Sequence, residues 1–237
     1  MTPQERELTP EERERITIVI PTKDEAENLP WVLERVTAFG GEIIVVDGHS
    51  RDATRDVATA AGARVVLDDG TGKGEALRIG AREASRDIVV YLDADGSHDP
   101  ARIPEMVAAI LDDQADLVIG SRMRGGSDEL HSSIPEFIRL LGSELITMTI
   151  NYRFGVRMTD YQNGFRAIRR ELMRSLGTSE QTFTIEQEMA IKALRRKARL
   201  DEVPAHEFRR HSGKSHIVVW RVGPRYVWCL FKNIIRP

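Results

Sequence analysis

Five short runs of aliphatic, mostly β-branched residues punctuate the first half of this chain, and the first four end in a polar cluster. "ITIVI" (16–20) opens into "PTKDEAEN", "EIIVVD" (42–47) ends in "DGHSRDAT", "ARVVLD" (63–68) in "DDGTGKGEA", and "DIVVYLD" (87–93) in "DADGSHDP"; "ADLVIG" (115–120) is the fifth. Continuous apolar runs of this length are the pattern of strands covered on both faces. Helical stretches fill the intervals: Asn28 to Ala38, Ala53 to Ala60, Gly74 to Ala84 and Pro100 to Asp112. Strand and helix alternating at this spacing predict an α/β fold, a mostly parallel central sheet with right-handed crossovers and helices on both faces. In such sheets ligands bind beyond the carboxyl ends of the strands, so the four clusters are expected to converge on one rim.

From about Pro135 the pattern changes to a long amphipathic helix, "PEFIRLLGSELITMTIN", then "TDYQNGFRAIRR" and a second helix around Ile185 to Lys197. The expected organisation is a flexible N-terminal extension over 1–15, one catalytic domain over 16–216 and an amphipathic basic C-terminal segment over 217–237, broken at Gly223-Pro224. No Gly-, Ser- or Pro-rich linker separates the parts, and there is no internal repeat.

Charge is unevenly placed. From Arg195 onward there are 11 Lys and Arg against 3 Asp and Glu, or +8, which leaves -11 for the rest of a chain whose net charge is -3. A basic end suits phosphate or acidic lipid, or is simply a solvated charged face. Nucleic acid is not expected as a partner, because no recognised binding module or stacking platform is present. The single cysteine, Cys229, excludes an intrachain disulfide, and the absence of an apolar run of about 20 residues argues against a bilayer span. The expected location is the cytoplasm, with peripheral contact at the cytoplasmic face of the membrane.

Asp93 and Asp95 crowd two like charges at the mouth of the fourth strand, which is stable only with a cation or a proton beside them. Asp-Ala-Asp offers oxygen ligands suited to Mg²⁺ or Mn²⁺, ions that combine one or two carboxylates with substrate phosphates. Alternatively, Asp93 caps the next helix and Asp95 faces solvent. Asp47 ends its strand in the same way and is placed to accept hydrogen bonds from a ribose or a base. In "TGKG" (71–74), Lys73 between two glycines ahead of a helix would bring backbone amides and an ammonium to phosphate, or is an ordinary turn. Neither GxxxxGK[ST] nor GxGxxG is present.

Taken in order, "PTKDEAENLP", "VDGHSRDAT", "GKGEA", "DADGSHDP", "GSR" and "NGFRAI" resemble the family 2 inverting glycosyltransferases of the GT-A fold, in particular the polyprenyl-phosphate type typified by dolichyl-phosphate mannosyltransferases. The resemblance covers roughly 16–216. It implies that Pro21, Thr22, Asp24 and Glu25 surround the nucleoside, that Asp47 contacts it, and that Lys73 lies near the diphosphate. Asp93 and Asp95 match the metal-binding pair, with Ala94 between them against the substrate. Arg122, Arg139 and Ser143 match positions that meet the acceptor phosphate, and Asp160 and Gln162 fall where the family lines the sugar pocket. Near the end, Arg210, Gly213 and Ser215 align with R-x-x-G-x-S-K, while His216 stands where lysine is usual and Lys214 lies two positions earlier. Gly48 also departs, standing where members often carry a second acid.

The implied reaction is transfer of a hexose from a GDP- or UDP-linked sugar to a polyprenyl or dolichyl phosphate. A phosphate acceptor is already ionised at neutral pH and needs no strong base. On this reading Asp95 with its metal, Lys214, Arg122 and Arg139 carry catalysis by neutralising the leaving diphosphate and positioning the acceptor. Glu186 and Glu188 are secondary candidates, and His98 is read as structural. The lipid acceptor would require Phe137, Leu140, Leu141, Leu145 and Ile146, with Trp220, Trp228 and Phe231 among Arg221, Arg225 and Lys232, to lie in the headgroup region or against a membrane partner protein; otherwise these residues pack in the core. Alternatives are a soluble acceptor on the same fold and a nucleotide-binding protein without turnover.

Overall fold

The computed structural model describes residues 6–128, 134–213 and 219–235, without the side chains of 134–136, 219–222 and 235. Seven strands form one sheet: β1 (Ile16–Thr22), β2 (Glu42–Asp47), β3 (Arg64–Leu67), β4 (Ile88–Tyr91), β5 (Leu117–Ser121), β6 (Arg166–Arg169) and β7 (Leu200–Pro204). Their spatial order is β3-β2-β1-β4-β6-β5-β7. All neighbours are parallel except β6, which runs antiparallel between β4 and β5. The helices are α1 (Pro10–Arg13), α2 (Leu29–Val36), α3 (Thr54–Ala60), α4 (Lys73–Glu83), α5 (Ile103–Leu111), α6 (Arg122–Gly125), α7 (Ile134–Phe154), α8 (Arg170–Ser175), α9 (Ile185–Arg195) and α10 (Val219–Ile235).

Alternation along β1 shows why an uninterrupted apolar run was needed. Ile16, Ile18 and Ile20 face one core with Leu33 of α2 and Met106 of α5, while Val19 faces the other with Leu77 of α4 and Met189 of α9. Each fully buried aliphatic side chain contributes on the order of 1.5–3 kcal/mol relative to exposure. Contact on the second face is tight enough to dictate sequence: a Cβ on Gly80 of α4 would lie 2.3 Å from Val19 Cγ1. β1 and β4 are parallel neighbours, but the order of strand addition reverses at β1, with β2 and β3 laid down on one side and β4 on the other. This places the switch-point crevice over the carboxyl ends of β1 and β4.

Three expectations need correction. The extension over 1–15 was expected to be flexible, yet within its described part, 6–15, Leu8 is buried in the first core. Arg6 pairs with Glu12 at 2.6 Å and Asp112 at 2.9 Å, and Thr9 and Glu12 close a capping box on α1. Second, β3 is an edge strand with Arg64 and Leu67 exposed, because only β2 flanks it. Third, Gly223-Pro224 does not break the last segment; α10 runs through it. Proline removes one helical N–H there, but Tyr226, Leu230 and Ile234 pack on the second core and Cys229 is fully buried.

Candidate active site

The loops after β1, β2, β3 and β4 do meet, around one cavity of about 1210 Å³. Its wall includes Pro21 and Thr22 at the end of β1, Asp24 and Glu25 after it, Gly48 after β2, Asp68 and Lys73 after β3, and Asp93, Ala94 and Asp95 after β4. Arg122, Arg139, Ser143, Gln162 and Arg210 close the far side. Lys214, Ser215 and His216 lie outside the described residues.

The acidic pair is built into a tight turn. Asp93 N–H donates to His98 Nδ1 at 3.1 Å, and His98 stacks on Phe165 with ring centroids 5.3 Å apart. Asp95 Oδ1 accepts from Ser97 N–H at 3.0 Å and Ser97 Oγ–H at 2.7 Å. Gly96, at φ 79°, carries the reversal. His98, which also lines the cavity, thus fixes the turn through its ring nitrogen.

Each of the two carboxylates already has a cation beside it. Lys73 Nζ lies 2.6 Å from Asp93 Oδ1 and 2.9 Å from Glu186 Oε1. Arg210 reaches Glu25 at 2.6 Å and Asp95 at 3.5 Å. Burial pushes the Asp93 carboxyl up, but Lys73, His98 and Arg210 outweigh it, so Asp93 sits below the ordinary carboxylate range. Burial likewise lowers Lys73, yet Asp93 and Glu186 raise it overall and keep the ammonium charged. Two carboxylates that need positive charge and face a cavity fit a hard divalent ion, with the remaining ligands supplied by a diphosphate and water. Among the described residues no group of three or more His, Cys, Asp or Glu is placed to hold a metal ion, so Asp93 and Asp95 are the protein ligands on offer at this turn.

Several residues occupy different roles from those expected. The Gly74 amide of "TGKG" does not face a phosphate: its N–H donates to Gln181 O at 2.8 Å. A Cβ on Gly74 would lie 2.1 Å from Glu180 O, and one on Gly72 would lie 2.6 Å from Gln181 O, so both glycines let the 180–182 segment cross. Asp47 is fully buried rather than on the cavity wall; its Oδ2 accepts from Ser50 N–H at 3.0 Å and its Oδ1 has no partner. Arg122 is on the wall, but its guanidinium is held by Asp160 at 2.7 and 3.1 Å and by Glu207 at 3.2 Å. Burial raises the Asp160 carboxyl and Arg122 lowers it more, leaving it below the usual range. Asp160 also accepts from Gln162 and Asn163 N–H, so it anchors the turn rather than lining it. Arg139 and Ser143 face the cavity from α7, and Arg139 has no acidic partner among the described residues.

Glu186, held only as a secondary candidate, lines the cavity and forms half of the Lys73 bridge. Glu188 instead turns away to accept from Ser179 and Glu180 N–H. Sequence reasoning missed Asp68 and Glu207, which line the cavity. It also missed the job of Arg166, fully buried, which donates to the carbonyls of Tyr161, Asn163 and Glu186 and so braces the cavity's far wall.

The amphipathic helices divide their apolar residues. On α7, Ile146 and Ile150 enter the core, whereas Phe137, Leu141, Leu145 and Met148 are exposed, Leu145 at 67%. On α10, Trp228 and Phe231 are exposed and stack at 6.2 Å. The two helices pack together, and Ile138, Leu140, Pro224 and Val227 carry the apolar surface into the cavity wall. No helix among the described residues is long and apolar enough to cross a membrane.

This arrangement, a switch-point cavity with an acidic pair at the central strand, is that of a GT-A glycosyltransferase. Residues 17–177 match Glycosyl transferase family 2, and the chain belongs to that family. Among its relatives is the undecaprenyl-phosphate mannosyltransferase of Micrococcus luteus, 32% identical over 228 residues, covering 90% of this chain and 91% of that one. Glycosyltransferase AglJ of Haloferax volcanii is 29% identical over 202 residues, covering 84% of this chain but 65% of AglJ. The crystal structure of glucosyl-3-phosphoglycerate synthase from Mycobacterium tuberculosis, in complex with Mn²⁺, UDP-glucose and phosphoglyceric acid, shares the fold at a TM-score of 0.73 and 22% identity, covering 94% of this chain and 81% of that one. The chain is therefore a glycosyltransferase enzyme.

Proposed function

We propose that this enzyme moves a hexose, with inversion, from a nucleotide sugar to a polyprenyl phosphate at a membrane surface. The observation that carries the acceptor is the continuity between polar and apolar surface: Arg139 and Ser143 sit in the cavity on the same helix whose Phe137, Leu141 and Leu145 are exposed to solvent. An acceptor with an anionic head and a hydrocarbon tail matches both halves. A soluble phosphorylated acceptor would use Arg139 and leave the apolar stripe without a role. The name of the Micrococcus luteus relative supports the same acceptor class.

Asp93 and Asp95 would hold Mg²⁺ or Mn²⁺ together with the donor's diphosphate, and the ion would supply charge neutralisation as the diphosphate departs. The chain's own residues do the rest. Lys73 and Arg210, now spread over four carboxylates, are near enough to pair with phosphate oxygens once the ion neutralises the acids. Arg139 offers a guanidinium fork to the acceptor phosphate, which attacks without a general base. Arg122, locked by Asp160 and Glu207, sets the shape of the wall beside it.

The test is incubation with labelled GDP- and UDP-hexoses, Mn²⁺ and polyprenyl phosphate in detergent. Label that partitions into organic solvent supports the reading. Label transferred only to a soluble phosphorylated acceptor refutes it.

A further inference from the structure

We infer that Asp68, at the carboxyl end of β3, reads the base of the donor nucleotide and selects guanine. The inference rests on the nucleotide-sugar reading above and deepens it.

β4, β1, β2 and β3 are consecutive neighbours, and strands lie about 4.8 Å apart, so the end of β3 stands about 14 Å from the acidic pair on β4. A nucleoside diphosphate with its phosphates at Asp93 and Asp95 has to lay its ribose and base across this span. The cavity is continuous along it, from Asp93 past Thr22 and Gly48 to Asp68.

Asp68 is an acid with a carboxylate oxygen to spare there, whereas Glu25 and Asp52 on the same wall have both oxygens engaged within the fold. It is only 6% exposed yet forms part of the cavity wall. Its Oδ1 accepts from Gly70 N–H at 2.7 Å, while Oδ2 accepts no hydrogen bond among the described residues. Asp47, the acid that ends the neighbouring strand β2, is sealed beneath the wall. Gly48 explains the exchange: a Cβ there would lie 3.2 Å from Thr22 O and 3.5 Å from Asp68 Oδ2. A bare backbone at 48 leaves Oδ2 open, so the acid comes from β3 instead of from β2.

A carboxylate is purely an acceptor. Guanine presents two adjacent N–H donors, N1–H and N2–H, on one edge. Uracil presents one N–H between two carbonyls, which a carboxylate repels, and adenine and cytosine set their amino groups beside a ring-nitrogen acceptor. Charge-assisted bonds of this kind are worth about tenfold or more in affinity.

Calorimetric titration of the full chain with GDP, UDP, ADP and CDP in the presence of Mn²⁺ tests this, with Asp68→Asn and Asp68→Ala alongside and melting curves as the folding control. Wild type should bind GDP about tenfold or more tightly than the other three, and both variants should lose that preference while keeping their UDP affinity within about twofold. Equal weakening toward all four nucleotides would assign Asp68 to the ribose or to the fold and overturn the inference, as would a wild-type preference for UDP. That wild-type ranking decides even if a variant fails to fold. Nucleotides that bind with their ranking intact in the variants sink this inference alone. No binding of any of the four to wild type sinks the nucleotide-sugar reading with it.

Discussion

Lys73 Nζ stands between Asp93 Oδ1 and Glu186 Oε1, 2.6 Å from one and 2.9 Å from the other. One ammonium, 13% exposed, thus serves two acids on separate elements, the turn after β4 and the first turn of α9. The pair ties the two sides of the cavity together before any ligand is present.

Removing that ammonium should be costly. Lys73→Met leaves two carboxylates facing each other, and breaking a buried pair costs about 3–5 kcal/mol. The low end is expected because the Asp93 side chain is 31% exposed. Denaturant unfolding measures it, and adding Glu186→Gln should restore part of the loss. An unchanged midpoint in Lys73→Met would show that the bridge contributes nothing.

Acid stability should report the Arg122–Asp160 pair. Asp160 is held below its unfolded value of about 3.9. Its contribution is therefore complete above about pH 4 and is lost as pH falls through the lower folded value. Glu202 works in the opposite direction, because burial raises its carboxyl more than its hydrogen bonds lower it. The difference between wild type and Asp160→Asn isolates the pair: Asp160→Asn should be less stable at pH 7 and lose less on acidification. Denaturant midpoints between about pH 3 and 7 check this, and parallel curves would contradict it.

Gly80→Ala should destabilise by about 1–3 kcal/mol through overpacking against Val19, despite alanine's better helix propensity. Combining it with Val19→Ala should give less than the sum of the two losses, measured as a double-mutant cycle. Strict additivity would mean that α4 shifts away from β1 freely.

The strands and the rim were legible in the sequence because parallel strands buried on both faces leave no alternation, and their ligand loops must follow their carboxyl ends. β6 was less legible: "FRAIR" is short, and its antiparallel insertion between β4 and β5 depends on a pairing that no local pattern encodes. The site was legible in residue type more than in placement. Asp47 and Asp68 both end strands in the sequence, and only packing seals the first and leaves the second on the cavity wall. Arg122 looked like a free phosphate ligand because Asp160 and Glu207, 38 and 85 residues away, are invisible as partners until the chain folds. The glycines of "TGKG" suggested a phosphate loop, whereas the crossing 180–182 segment is their physical cause.

On the proposed function, Asp93 and Asp95 hold a divalent ion jointly with a nucleoside diphosphate. The most direct measurement of this is Mn²⁺ uptake followed by electron paramagnetic resonance, with and without GDP or UDP, for wild type and Asp95→Ala. Wild type should take up Mn²⁺ tightly only when a diphosphate is present, and Asp95→Ala should take up none at an unchanged melting temperature. Equal Mn²⁺ uptake by a folded Asp95→Ala chain would contradict that role for the pair.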